Sequence, residues 1–158
     1  MVTQRDAEFL ARALDLALGS GTGDGGPFGA VVARDGVLLG EGTNRVTTDR
    51  DPTAHAEVIA LRAACARSGS HALPGAVLYT SCEPCPMCLA AAWWARVQRV
   101  VFCATRADAA AAGFDDDLLY REVQLPLTQR RLPIERALAA RANEPFRAWN
   151  ANPRRVPY

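Results

Sequence analysis

The sequence contains no lysine, so all 18 of its basic residues are arginine. This absence excludes Schiff-base chemistry and every mechanism that needs a catalytic lysine. The 18 basic residues face 17 acidic ones, which leaves a net charge of +1. A chain so close to neutral has no strong field that would attract a polyanion. We therefore expect neither nucleic acid nor a membrane as a partner.

Long apolar runs are also missing, and the sequence shows no pattern that predicts an export signal. The longest wholly apolar run has nine residues, Met87 to Ala95, whereas a helix that spans a bilayer needs about 20. Charged residues interrupt the first dozen positions, so no signal peptide is expected. Five cysteines in such a chain indicate a reducing cytoplasm, and their odd number argues against a disulfide framework. Metal binding or buried thiols are the expected uses of these cysteines.

The charge is unevenly distributed along the chain. Eight arginines and three glutamates lie between Arg121 and Tyr158, a local net charge of +5, so the first 120 residues carry −4. Two interpretations of the basic segment stay open: a surface that faces a second subunit or a ligand, and a solvated helical face.

The 158 residues, 49% of them hydrophobic, predict one domain over residues 1–158. Apolar spacing and turn residues predict helices over 3–18, 52–67, 85–96, 106–112, 133–142 and 145–150, and strands over 28–33, 37–42, 76–80, 99–103 and 123–125. Thr53 is the predicted N-cap of the second helix, and residues 34–36 are the predicted hairpin turn. Strands that alternate with helices predict an α/β domain whose sheet is covered on both faces.

Two short motifs carry the chemistry. His55-Ala56-Glu57 stands at the start of one predicted helix, and Pro84-Cys85-Pro86-Met87-Cys88 stands at the start of the next. This H-x-E and P-C-x-x-C pattern is typical of zinc-dependent nucleobase deaminases.

The spacing of these motifs suits one catalytic zinc ion per subunit. Cys85 and Cys88 are three residues apart, so both thiols project from the first turn of one helix. The positive end of that helix favours their thiolates. With His55 they form three ligands and leave the fourth position for water. Glu57 is expected beside that water as the proton carrier.

Cys82 leaves an alternative open, because Cys82-Glu83-Pro84-Cys85 is also a C-x-x-C motif. Cys82 would then replace Cys88, or complete a closed four-ligand site in a non-catalytic zinc module that binds a partner. Glu57 argues against the closed site, which has no use for a carboxylate.

The sequence resembles the cytidine-deaminase-like superfamily and, within it, the bacterial guanine deaminases. The resemblance covers nearly the whole chain, and it rests on the zinc motif, on Phe114-Asp115-Asp116 and on the segments at 25–30, 51–58, 80–88, 94–96, 112–116 and 146–149.

The resemblance implies a three-layer α/β/α sandwich with a five-stranded mixed sheet. It also implies a homodimer in which the C-terminal segment swaps onto the partner and closes its site. The substrate contacts that it implies are Phe28, Asn44, Ala56, Asp116 and Tyr158. Glu122 resembles a second active-site glutamate of the family.

The expected function is hydrolytic deamination of a free purine base, guanine to xanthine and ammonia. A purine ring stacks on a phenyl face such as that of Phe28, and a carboxylate such as Asp116 accepts hydrogen bonds from N1 and the 2-amino group of guanine. Alternative substrates are cytosine, cytidine, a triazine- or pteridine-like ring, and adenosine in tRNA.

Overall fold

The computed structural model describes residues 2–157. The chain divides into two compact units, one up to Tyr120 and one from Arg121 onward. The first unit contains, in chain order, α1 (Gln4–Gly21), β1 (Gly29–Arg34), β2 (Val37–Thr43), α2 (Val46–Asp49), α3 (Ala56–Ser68), β3 (Val77–Cys82), α4 (Pro86–Trp94), β4 (Arg99–Ala104) and α5 (Arg106–Ala111). The single domain over 1–158 stays a prediction.

The sheet is mixed and has the strand order β2-β1-β3-β4. Strand β1 runs antiparallel to both β2 and β3, and β3 runs parallel to β4. The predicted hairpin between β1 and β2 is confirmed. Its turn residues Asp35 and Gly36 both have positive φ, the conformation that a tight two-residue hairpin needs.

Helices cover both faces of the sheet, as the alternating pattern predicted. On one face Phe9 and Ala13 of α1 pack with Val31 and Tyr79. On the other face α3 and α4 pack on Val32 and Leu78. The arrangement is therefore a three-layer α/β/α sandwich. No helix within residues 2–157 is long and apolar enough to cross a membrane.

Helix α3 lies unusually close to β2. A Cβ atom at Gly40 would stand 2.5 Å from the carbonyl oxygen of Ala60 and 2.6 Å from the backbone nitrogen of Ala64. Only glycine permits that approach of helix backbone to strand. The same holds at Gly42, where a Cβ would stand 2.5 Å from the carbonyl oxygen of Ala56, so the beginning of α3, beside His55 and Glu57, is fixed against the sheet.

The predicted strand at 123–125 is wrong, and the sheet of the described residues has four strands rather than five. Residues Asp117–Gln124 form helix α6 instead. The Asp115 carboxylate accepts a hydrogen bond from the Asp117 N–H at 3.0 Å, a turn that starts the helix. Leucine, arginine, glutamate and glutamine then favour helix, and Pro126 follows its end.

After α6, the second unit contains little regular secondary structure. It holds two short 3₁₀ turns, Leu127–Gln129 and Ala139–Arg141, and helix α7, Glu144–Ala151. The helix predicted over 145–150 is confirmed. The helix predicted over 133–142 is reduced to the second of these turns.

The predicted N-cap of α3 is also wrong. The Thr53 hydroxyl donates to Oδ1 of Asp51 at 2.7 Å, and the Thr53 N–H donates to the same oxygen at 2.8 Å. Thr53 thus belongs to a turn before the helix. Helix α3 begins at Ala56 with His55 as its N-cap. The polar segment between β2 and α3 contains the short helix α2.

Candidate active site

His55, Cys85 and Cys88 form one cluster whose potential ligand atoms all lie within 4.8 Å of one another. The His55 Nδ1 atom is 3.7 Å from the Cys85 sulfur and 3.5 Å from the Cys88 sulfur. One imidazole nitrogen and two thiols are a donor set that zinc prefers, and three ligands leave a coordination position for water. The cluster therefore fits a catalytic zinc ion.

Two helix starts bring the cluster together. His55 is the N-cap of α3, and Cys85 is the N-cap of α4, which has Pro86 in its first turn. Cys88 lies in the same first turn and is fully buried. The spacing of the motifs predicted that both would stand at helix starts, and the structure places them there.

The electrostatics of the cluster favour a thiolate. A hydrogen bond from the Cys88 thiol, together with one from His55, lowers the pKa of Cys85 to about 4. The paired Cys85 in turn raises the pKa of His55. Cys88 shares its proton with Cys85 and is buried, so its own pKa is raised. Cys85 is thus the thiol that ionises first.

Glu57 is 5% exposed and lies directly behind the cluster. The Cys88 sulfur lies 3.4 Å from its Oε2 atom, and the Thr80 hydroxyl donates to its Oε1 atom at 3.3 Å. Burial raises the pKa of this carboxyl group. A carboxyl whose pKa is raised towards neutrality can both take up and release a proton in a reaction.

Cys82 does not join the cluster. Its thiol points to the carbonyl oxygen of Thr105 at 3.6 Å, and burial raises its pKa to about 11. A sulfur that faces a backbone carbonyl, and that is not in the 4.8 Å group of His55, Cys85 and Cys88, is not placed to bind the same ion. The geometry therefore favours Cys85 and Cys88 over the alternative that Cys82 is a ligand.

A cavity of about 470 Å³ opens from the cluster. Its wall includes three residues of the predicted site besides His55, Glu57 and Cys85, namely Phe28, Asn44 and Asp116. Burial raises the pKa of the Asp116 carboxyl group. A volume of this size suits a small ring compound.

Phe114 is a wall residue to which sequence reasoning gave no role. Its ring meets that of Phe28 edge to face, with the centroids 4.9 Å apart. Its sequence signal was its place in Phe114-Asp115-Asp116, one of the segments that carry the resemblance. The contact fixes the orientation of the Phe28 ring, the predicted stacking surface.

The side chain of Asn44 is oriented by a hydrogen bond to the backbone two residues later. Its Oδ1 atom accepts a hydrogen bond from the Val46 N–H at 3.2 Å. The carbonyl half of the amide is thus engaged at the start of α2. The same loop is tied across the cavity rim by the Thr47 hydroxyl, which donates to the Asp24 carbonyl at 2.7 Å.

Three further residues of the predicted site are not among the described residues that line the cavity. Ala56 is fully buried in the core, and its side chain is no part of the cavity wall. Glu122 belongs to the second unit, where it accepts from the Arg131 N–H at 2.8 Å. Tyr158 lies outside the described residues. Their roles stay predictions.

Comparison with known proteins gives a consistent set of relatives. Residues 3–104 match the family of the cytidine and deoxycytidylate deaminase zinc-binding region. The chain is 51% identical to the guanine deaminase of Bacillus subtilis over 142 residues, which cover 89% of this chain and 91% of the relative. It is 43% identical to the tRNA-specific adenosine deaminase of Agrobacterium fabrum over 94 residues, 60% of this chain and 62% of the relative.

The fold agrees with that of a solved relative. The crystal structure of guanine deaminase from Bacillus subtilis superposes with a TM-score of 0.93 at 48% identity. The match covers 96% of this chain and 98% of the other. Similarity to this structure thus extends well beyond residues 3–104, the part that the family shares.

Proposed function

The chain belongs to the cytidine and deoxycytidylate deaminase family, and from this premise we propose that it deaminates free guanine to xanthine and ammonia with one zinc ion per subunit. The observation that carries the proposal is the placement of buried Glu57 beside His55, Cys85 and Cys88, at the end of a cavity of about 470 Å³. The identity of 51% to a guanine deaminase supports the choice of base.

The reaction exchanges an amino group for an oxygen at C2 of guanine. When bound by His55, Cys85 and Cys88, zinc supplies the Lewis acidity that makes water a nucleophile near neutral pH. Glu57 accepts a proton from the attacking water and passes it to ring N3. It then carries the second proton of that water to the departing amino group, which leaves as ammonia.

Glu57 is suited to this double transfer by its surroundings. Its burial raises the pKa and excludes solvent that would otherwise exchange the proton. Because Thr80 and Cys88 contact its two oxygens, the carboxyl group is held in one orientation.

The wall of the cavity recognises a purine through complementary groups. Phe28 offers its ring face for stacking, supported by the edge contact of Phe114. Since Oδ1 of Asn44 already accepts from Val46, its amide nitrogen is the group that donates to the carbonyl side of guanine. The Asp116 carboxylate accepts from N1 and the 2-amino group.

Charge argues against tRNA as the substrate. The whole chain has a net charge of only +1, because the +5 of residues 121–158 is offset by −4 over the first 120 residues. Recognition of RNA depends on cations that neutralise its phosphates. A free base has no phosphates and meets no such barrier.

The assembly is a further part of the proposal, and it starts from the similarity to guanine deaminases. We propose a cytoplasmic homodimer in which the whole chain serves as one functional domain and the C-terminal segment is exchanged. Glu122 and Tyr158 then approach the site of the partner, and Ala56 contacts the substrate through its backbone. Large side chains such as Leu138 and Phe146 support this arrangement, because they are 78% and 67% exposed in the single chain.

The experiment that tests the function is ammonia release by the zinc-loaded protein. Guanine, guanosine, cytosine, cytidine, adenine and a tRNA anticodon stem-loop are offered separately. We expect release from guanine. Release only from another compound would overturn the choice of base, and silence on all six would favour a non-catalytic zinc module.

A matched variant identifies the proton carrier in the same assay. Glu57→Gln keeps the shape of the side chain but cannot cycle a proton, so turnover should fall by about 10²–10⁴-fold while the zinc content is unchanged. Full turnover in this variant would remove Glu57 from the mechanism.

A further inference from the structure

We propose that Thr80 is a positioning residue that fixes Oε1 of Glu57 and leaves Oε2 as the oxygen that carries the proton. This inference rests on the proposed function and deepens it. The Thr80 hydroxyl lies 3.3 Å from Oε1 of Glu57, between two residues that are 23 positions apart in sequence.

The position of Thr80 in β3 is the first argument. Leu78, two residues earlier, packs in the core with α3, and alternate residues of a strand point to the same face. Thr80 therefore points into an apolar layer, and it is only 1% exposed. A hydroxyl buried there needs a hydrogen-bond partner, and Glu57 is the partner it has.

The asymmetry between the two carboxyl oxygens is the second argument. Oε1 faces Thr80 and Oε2 faces the Cys88 sulfur, at 3.3 and 3.4 Å. A Cys88 that holds zinc does so as a thiolate and has no proton to donate. Thr80 then remains the side-chain donor to Glu57, and Oε2, on the side of the cluster, is free for chemistry.

The third argument is chemical. A hydroxyl that donates to Oε1 fixes the rotation of the carboxyl group about its terminal bond. This χ3 torsion of glutamate is otherwise broadly distributed. An oriented Oε2 shortens the path of the proton from water to substrate. Loss of the hydroxyl should therefore slow the chemical step and leave the binding of guanine intact.

The test compares Thr80→Val with Thr80→Ser. Valine keeps the branched shape and removes the hydroxyl, and we expect kcat to fall about tenfold with KM and zinc content unchanged. Serine keeps the hydroxyl, so it should restore most of kcat. A role in packing alone predicts the reverse ranking, because serine loses a methyl group and valine does not.

Ser81→Ala is the matched control from the next position of the strand. The Ser81 hydroxyl is also buried, but it accepts a hydrogen bond from the Gly29 N–H at 3.1 Å, and as the next residue of the strand it points to the opposite face of the sheet from Thr80. This variant should lose stability and keep kcat. An equal loss of kcat in Ser81→Ala and Thr80→Val would overturn the proposal.

A spectroscopic readout separates this proposal from the proposed function. The carboxyl carbon of Glu57 can be observed by ¹³C NMR of glutamate-labelled protein, and its signal is assigned by its disappearance in Glu57→Gln. We expect Thr80→Val to shift that signal and Thr80→Ser to leave it in place. An unmoved signal, or an unchanged kcat, in Thr80→Val would overturn the positioning role. If Thr80→Val shifts the signal but wild-type protein is inactive on guanine, the choice of substrate is overturned and the positioning role is not.

Discussion

The rings of Phe28 and Phe114 meet edge to face on the wall of the cavity, with their planes at 86°. The two residues come from distant parts of the chain, the loop before β1 and the loop after α5. Their contact orients the ring on which a purine would stack. The orientation of the Phe28 ring thus depends on its contact with Phe114.

Phe114→Ala tests that dependence. An edge-to-face contact contributes about 0.5–1.5 kcal/mol. If that energy is lost from substrate binding, KM for guanine should rise about 2- to 10-fold with kcat nearly constant. Phe102→Ala is the control, because Phe102 is 43% exposed against 40% for Phe114 and lies on β4 outside the cavity wall. The same rise in KM in both variants would show that the ring contact has no special role.

Cysteine variants test the ligand set. Cys85→Ser and Cys88→Ser should each lose zinc on dialysis against a chelator, because either change removes one of the three ligands. Cys82→Ser and Cys103→Ser should keep it. Zinc per chain, measured by mass spectrometry, gives the answer without an assay of activity. Loss of zinc from Cys82→Ser would restore Cys82 as a ligand.

Gly40→Ala tests the close approach of α3 to β2. The new Cβ would meet backbone atoms of Ala60 and Ala64 at 2.5 and 2.6 Å. Backbone cannot move aside as a side chain does, so we expect the free energy of unfolding to fall by about 1–3 kcal/mol. Gly19→Ala is the control, since nothing lies within 4 Å of its added Cβ in helix α1, and this variant should be at least as stable as wild type. Thermal unfolding of both variants decides the matter, and equal stability would contradict the packing argument.

The stability of the protein at low pH should depend on Asp6. Hydrogen bonds from the Thr3 backbone and from Tyr79, with Arg99 at 2.5 Å, hold the pKa of this buried carboxyl well below its usual value. A carboxyl whose pKa is lower in the folded state contributes stability above its unfolded pKa of about 3.9, and that contribution is lost as the pH falls further.

Urea unfolding of wild type and Asp6→Asn at several pH values measures this contribution. The difference in free energy of unfolding should be largest at neutral pH and should shrink below about pH 4. Tyr79→Phe removes one of the donors, at 2.8 Å, and should reduce the pH dependence only in part. A difference between wild type and Asp6→Asn that is constant with pH would contradict this assignment.

The local parts of the site could be predicted from sequence, because helix geometry alone places them. Cys85 and Cys88 are one turn apart, and His55 and Glu57 flank the start of one helix. No long-range information is needed for such pairs. The motifs therefore led directly to the His55, Cys85 and Cys88 cluster and to the buried acid.

The contacts that depend on sheet register could not be predicted. Thr80 meets Glu57 only because β3 lies beneath α3, and Phe114 meets Phe28 only after the chain has crossed the sheet. A threonine in an apolar strand gives no sign of its partner. The wrong strand at 123–125 has a related cause, since a short β-prone run without a neighbouring strand adopted the helix that its flanking residues favour.

Ala56, Ala60 and Ala64 occupy one ridge of α3, and all three are fully buried towards the sheet. Alanine and glycine have no side-chain rotamers, so this junction cannot adapt by repacking. The packing of α3 on the sheet therefore holds His55 and Glu57 in fixed positions, whatever molecule enters the cavity. A change of substrate preference must then arise in the loops that carry Phe28, Asn44 and Phe114, and these can diverge while the chemistry at the metal is inherited unaltered.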